Sequence, residues 1–159
     1  MEKKPIKRSK YIIQLSKDHH FTLLFCWKIR TGVKLQIEIS RIKNYVSYFW
    51  QTHMQPHFNE EEILLFAPAK DAAVQRALNE HAEIRQQINT IITSENIQAA
   101  QLEQLANIVE THVRYEEREL FPHLEKVLSE AQLHQIGNAL QQTHATVCKD
   151  DFTDEFWIK

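Results

Sequence analysis

Histidine is followed four residues later by glutamate at two places in the chain, each within an otherwise apolar helical stripe. The pairs are His57/Glu61 in PHFNEEEILLF and His112/Glu116 in HVRYEERELFP. A spacing of four residues places both side chains on one face of a helix, one turn apart. If that face is buried, the carboxylate must be paired or bound to a metal ion. The two pairs therefore predict a metal site whose ligands come from several helices.

Two other segments also carry a histidine on an apolar stripe. His81 is the histidine of the third segment. In the first segment His19 is favoured because apolar residues lie one turn before and one turn after it. His20 is the alternative, as a ligand or as a residue supporting the ligands. His53, one turn before His57, either supports the site or packs in the core.

The remaining carboxylates of the two motifs are Glu60, Glu62, Glu117 and Glu119. Each is adjacent or close to a predicted ligand but lies off its stripe. We therefore interpret them as flanking carboxylates that face solvent.

Composition favours an all-α fold. The 159 residues include only two Gly and four Pro, and long stretches are rich in Leu, Gln, Glu, Ala and Ile. A net charge of −2 gives no electrostatic reason for nucleic-acid binding. No apolar run reaches the roughly 18 residues that a membrane span needs. Together with Cys26 and Cys148, which are interpreted as free thiols, this predicts a cytoplasmic protein.

Five helices are predicted from apolar periodicity and boundary signals. The first ends near Gly32, the second begins at an N-cap Ser40, and Pro56 predicts a kink beside His57. The third and fourth cover about 71–93 and about 97–128. A capping box of Ser129 and Gln132 starts a shorter fifth helix that runs to about residue 143.

The predicted architecture is an up-down-up-down four-helix bundle with a short C-terminal fifth helix. Residues 1–159 form one domain, with a bundle core at about 11–128 and a C-terminal helix and tail at 129–159. The aromatic tail residues Phe152, Phe156 and Trp157 are expected to pack back on the bundle. The basic opening, MEKKPIKRSK, is interpreted as a solvated chain end.

The predicted donors are imidazole nitrogens and carboxylate oxygens, which suit iron, manganese or zinc. Six ligands exceed the number that one tetrahedral zinc site uses. Two carboxylates can bridge a pair of ions, which also compensates their buried charge. The residues therefore favour a two-metal site.

These motifs resemble the hemerythrin-like family of HHE cation-binding domains. HFNEEEILLF and HVRYEERELFP carry the resemblance, with DHH in the first helix and NEHAEIR in the third, and it extends from about Ile12 to Leu128. It implies a four-helix bundle that holds two non-haem iron ions, oxo- or hydroxo-bridged, with the two glutamates as bridges. The ligands that it implies are a histidine of the first helix, preferably His19, together with His57, Glu61, His81, His112 and Glu116.

The chain departs from the oxygen-carrying members of that family. They have a further histidine in the third helix, whereas the positions four residues from His81 are here Ala77 and Arg85. The resemblance thus implies binding or sensing of O₂, NO or iron rather than oxygen carriage. A di-iron oxidase or peroxidase is the alternative, although the chain contains no Glu-x-x-His. A metal-free structural bundle is the third possibility, and oligomeric state is not predicted.

Overall fold

The computed structural model describes residues 7–143 and 150–159, and these ranges contain five helices and no strand. We number the helices α1 (Ile13–Lys34), α2 (Ile39–Phe66), α3 (Ala72–Thr93), α4 (Ala99–Val127) and α5 (Glu130–Thr143). The all-α prediction is confirmed for the described residues. None of their helices combines the length and the apolar character that crossing a membrane requires.

The four long helices surround a common interior. Helix α1 packs against α2 and α4, and α3 packs against the same two helices. The apolar interior consists of two separate clusters, one represented by Phe25 and Phe49 and the other by Leu15 and Leu65. Along α1, His19 lies between these clusters, and Glu61, His81 and His112 do so on α2, α3 and α4. The remaining two ligands, His57 and Glu116, are the chain neighbours of Phe58 and Tyr115, the cluster residues that border this interval. A buried polar layer therefore separates two apolar halves of the bundle.

Three π-helical segments lie within α2 and α4 or at the end of α2, and each ends two residues before a proline. They are Trp50–Met54 and Glu61–Phe66 in α2 and Glu116–Leu120 in α4, and the prolines are Pro56, Pro68 and Pro122. A proline ring has no N–H and contacts the carbonyl four residues earlier in a regular α-helix. The wider turn accommodates the ring, so α2 continues through Pro56. A change of helix type beside His57 therefore accompanies Pro56, and the kink expected there stays a prediction.

The predicted helix boundaries agree with the structure where a side chain caps the helix. Asp71 accepts a hydrogen bond from the backbone N–H of Val74 at 3.0 Å, which starts α3. Ser129 and Gln132 form the predicted capping box before α5. The Ser40 prediction is wrong, because α2 already begins at Ile39 without a side-chain cap.

Gly32 was predicted to end α1, and this is also wrong, since the helix continues to Lys34. Gly32 is instead a packing position for the C-terminal tail. A Cβ atom there would lie 2.7 Å from Cε2 of Phe156, which is itself buried. The expectation that the tail packs back on the bundle is therefore confirmed. Cys26 is a buried free thiol, whereas Cys148 lies outside the described residues.

Candidate metal centre

The six predicted ligands converge in the polar layer of the bundle, and all are buried. They form two overlapping groups of four, in each of which one ligand atom per residue lies within 4.8 Å of the others. The groups share Glu61 and Glu116, and each adds two histidines from two different helices. The members are His19, His57, Glu61 and Glu116 in one group and Glu61, His81, His112 and Glu116 in the other.

The two alternative residues lie elsewhere. His20 is exposed, whereas its neighbour His19 retains only 3% of its accessible surface. His19 therefore lies in the buried cluster, whereas His20 lies outside it. His53 belongs to neither group of four, and its ring stacks on Phe49 and Phe21 at centroid distances of 5.0 and 6.3 Å.

Glu61 and Glu116 occupy the same position in their helices, because each is the first residue of a π-helical segment. Such segments occur frequently at functional sites, since the wider turn changes the direction of the side chains around it. Each glutamate lies one turn after a histidine of the same helix. The Nε2–Oε1 distance is 3.2 Å for His57 and Glu61 and 2.9 Å for His112 and Glu116.

Each cluster histidine uses its outer nitrogen, Nδ1, to contact a carboxylate. The Nδ1–oxygen distances are 2.6 Å for His19 and Glu117, 3.2 Å for His57 and Asp18, 2.7 Å for His81 and Glu62, and 2.8 Å for His112 and Glu80. Because an ionised carboxylate can only accept, Nδ1 is the donor in these pairs. The inner Nε2 of a neutral ring then presents a lone pair to the cluster, as a metal ligand does.

These four pairs form a closed ring around the bundle. Asp18 of α1 holds the histidine of α2, Glu62 of α2 that of α3, Glu80 of α3 that of α4, and Glu117 of α4 that of α1. Every carboxylate is the chain neighbour of a cluster residue on its own helix but bonds to the histidine of another helix. Each helix therefore orients a ligand that it does not carry.

Two of these carboxylates correct the sequence interpretation. Glu62 and Glu117 were predicted to face solvent, but their side chains are only 26% and 28% exposed and accept hydrogen bonds from cluster histidines. Asp18 and Glu80 were not identified from the sequence. Their adjacency to His19 and His81 was the available signal. Glu119 is exposed as expected, at 66%.

The inner atoms of the cluster lack hydrogen-bond partners. Within the described residues, all four Nε2 atoms and all four oxygens of Glu61 and Glu116 are buried without a hydrogen bond of acceptable geometry. Lone pairs of the rings thus face lone pairs of the carboxylates, 2.9–3.9 Å apart. Buried acceptors that face one another require a positive charge between them. This arrangement fits metal cations.

The pKa values of the cluster residues also indicate that the site favours positive charge. Burial opposes protonation of His112, but the charge of Glu116 close to Nε2 and the hydrogen bond between Nδ1 and Glu80 outweigh it and raise its pKa to about 10. The pKa values of His19, His57 and His81 are also raised despite burial, because carboxylates surround them. Contact with His112 and His19 holds the pKa of Glu116 well below its usual range, against the effect of its burial. The layer therefore stabilises positive charge, whether as protons or as metal ions.

Aromatic rings cover the cluster on both sides. The ring of Phe58 stacks on His81 with a centroid distance of 3.8 Å and an interplanar angle of 6°. Phe121 stacks on His19 at 5.5 Å and 18°. These contacts restrict rotation of the imidazoles and keep the surroundings of the donors apolar. Such surroundings strengthen the electrostatic interactions of a bound cation.

The comparisons with known proteins agree with this donor set. The family model described as the hemerythrin HHE cation binding domain matches residues 12–124. This range contains all six clustered residues and the four carboxylates behind the histidines. No curated protein and no solved structure matches the chain significantly.

Proposed function

Since the chain belongs to the hemerythrin HHE cation-binding domain family, we propose that its six clustered side chains hold two iron ions and that it binds or senses a small ligand such as O₂ or NO. The observation that carries this proposal is the sharing of both glutamates between two groups of four. A shared carboxylate has two oxygens and can serve two cations at once. The unsatisfied inner atoms of all six residues support the same ligand set.

The choice of iron follows the family resemblance and agrees with the donors. Each group offers two imidazole nitrogens and two carboxylate oxygens, a combination that iron accepts and that manganese and zinc also tolerate. The buried thiol of Cys26 belongs to neither group, so the described part of the chain adds no thiolate to the donor set. A reduced iron pair supplies the electrons and the coordination positions with which O₂ or NO can combine.

Binding or sensing is favoured over oxygen carriage because of the third helix. Ala77 is buried in the apolar core, and Arg85 donates to Glu62 at 2.7 Å. Neither supplies an imidazole next to His81. Each metal ion would therefore receive two histidines, and the two halves of the site are equivalent in donor type.

We also infer that the four long helices alternate in direction within a single domain spanning residues 1–159. The ring of carboxylates supports the alternation. The carboxylate precedes its neighbouring cluster residue in α1 and α3 but follows it in α2 and α4. Successive side chains differ by about 100° around a helix axis. A carboxylate one residue before the cluster residue and a carboxylate one residue after it are therefore rotated in opposite senses. Both kinds point the same way around the bundle only if their helices run in opposite directions.

The cytoplasmic location stays a prediction from the sequence.

The test is metal analysis of the full chain purified from iron-replete cells. We expect about two iron ions per chain and a visible absorption band of a bridged ferric pair, which disappears on reduction without air. Addition of NO to the reduced protein should then produce a new visible spectrum. A stably folded, colourless protein without iron would contradict the di-iron proposal. Iron binding without any spectral response to O₂ or NO would contradict the ligand-binding part.

A further inference from the structure

Arg8 lies before α1, in a part of the chain that the sequence predicted to be solvated, yet its side chain is only 5% exposed. Its guanidinium contacts three other parts of the protein. Nε donates to Oγ of Ser16 at 3.2 Å, and Nη1 donates to Oε1 of Glu125 at 2.7 Å. Nη2 donates to both the backbone carbonyl and Oε2 of Glu117, at 2.7 and 3.0 Å. The preceding residues 1–6 lie outside the described ranges.

Two routes connect this guanidinium to His19. The first is Glu117, which accepts from Arg8 with Oε2 and from Nδ1 of His19 with Oε1, the latter at 2.6 Å. The second is Phe121. The guanidinium carbon lies 5.3 Å from the centroid of this ring, and the ring stacks on His19. Arg8 therefore fixes both the acceptor and the aromatic face that determine the orientation of the imidazole.

Two other arginines contact carboxylates of the ring, but in more exposed settings. Nη2 of Arg85 lies 2.7 Å from Oε2 of Glu62, and the Arg85 side chain is 34% exposed. Arg76 reaches Glu80 at 3.0 Å and is 52% exposed. Solvent screens these two ion pairs more than it screens the contacts of Arg8, so they should contribute less. The buried Arg8, with four hydrogen bonds of fixed geometry, is the guanidinium whose removal should matter most.

We propose that Arg8 is a positioning residue that holds His19 in its metal-binding orientation through Glu117 and Phe121. This inference rests on the proposed metal-binding function. It assigns a role in the site to a segment that lies outside the helices of the bundle. His19 is thus held by residues of α4, and these residues are held by Arg8 of the segment before α1. The group of four ligands that contains His19 should therefore depend on Arg8.

The first test needs no metal. In the metal-free full chain with ¹⁵N-labelled histidine, NMR of the ring nitrogens reports which nitrogen carries the proton and whether it is hydrogen-bonded. Arg8→Ala should selectively shift the His19 ring signals and weaken its Nδ1–H resonance. His57, His81 and His112 should keep their signals. Arg30→Ala, which removes a half-exposed arginine of α1 that contacts Asn107 and Glu110, is the matched control and should change none of them.

The second test measures retention of metal. Iron-loaded Arg8→Ala should lose about half of its iron to a chelator at least roughly 10-fold faster than the wild type, while the remaining half leaves at the usual rate. Arg8→Lys should not restore retention, because one ammonium group cannot replace the planar fork. If Arg8→Ala does not fold, Glu125→Ala removes the acceptor of the Nη1 hydrogen bond of Arg8, and it should cause the same changes to a smaller degree.

The outcomes separate the two proposals. Unchanged His19 signals and unchanged iron retention in folded Arg8→Ala would overturn the role of Arg8. Equal shifts of all four histidines would also overturn it, because they would indicate a general structural effect. A wild-type protein that binds no metal would refute the proposed function, while the selective NMR response of His19 would still decide whether Arg8 positions that ring.

Discussion

Glu80 immediately precedes His81 in the chain, yet its Oε1 accepts a hydrogen bond from Nδ1 of His112 on the neighbouring helix, 2.8 Å away. Equivalent contacts join the other three pairs of helices around the bundle. The orientation of each ligand therefore depends on the rotation of a second helix about its own axis. This cross-helix support makes metal binding sensitive to residues that do not touch the metal.

Glu116→Gln should at least halve the metal content of the purified protein. The amide keeps the shape of the side chain but removes the charge that is shared between the two groups of ligands. Metal analysis of the folded variant measures the effect. Glu119→Gln, on the exposed side of the same helix, is the matched control and should retain the wild-type content. An unchanged metal content in Glu116→Gln would show that the ligand assignment is wrong.

Glu80→Gln should weaken metal binding by about 10- to 100-fold without removing a ligand, because it perturbs the carboxylate behind His112. Competition with a chelator of known affinity gives this ratio. Glu83→Gln removes an exposed carboxylate from the same helix and should have no effect. Equal affinities of the two variants would argue that the ring of carboxylates does not tune the site.

The metal-free protein should lose stability as the pH rises above neutrality. The pKa of His112 is raised from 6.5 to about 10, and those of the other cluster histidines are raised in the same direction. Above about pH 6.5 the unfolded chain releases these protons while the folded protein keeps them. Their stabilising contribution is therefore complete below about pH 6.5 and is lost as the pH passes through the folded pKa values.

Bound metal ions replace these protons, so the metal-loaded protein should not show the same loss. The difference in Tm between loaded and metal-free protein should widen from roughly pH 6 to pH 9. Thermal unfolding across this range tests the prediction. A difference that stays constant with pH would show that protons and metal ions do not compete for the cluster.

Gly32→Ala should destabilise the protein by about 1–3 kcal/mol, because the added methyl group would overlap the ring of Phe156. Denaturant unfolding measures the change in the free energy of unfolding. In the double variant with Phe156→Leu, the loss should be smaller than the sum of the two single losses, because the smaller side chain gives space to the methyl group. Additive losses would contradict the direct contact. Metal content should stay the same in all three variants.

The sequence by itself was sufficient to predict the helical fold. It was also sufficient to predict which faces of α2, α3 and α4 point into the bundle. Helical periodicity is a local property, so the spacing of His57 and Glu61 already places them on one face. The caps at Asp71 and Ser129 are also local, because each side chain accepts a hydrogen bond from the backbone N–H three residues further along the chain. That the inward His and Glu residues form one metal site was predicted from their combination on several helices and from the family resemblance.

Only the tertiary structure decided what surrounds that layer. Residues next to a ligand point about 100° away from it, and the sequence does not state whether solvent or another helix lies in that direction. Glu62 and Glu117 were therefore misinterpreted, and the choice between His19 and His20 required their burial. Contacts between distant parts of the chain, such as Arg8 with Glu117 and Gly32 with Phe156, leave no periodic signal. These contacts depend on how the helices pack. For this reason Arg8, predicted to lie in a solvated chain end, and Gly32, predicted to end α1, are both packing positions.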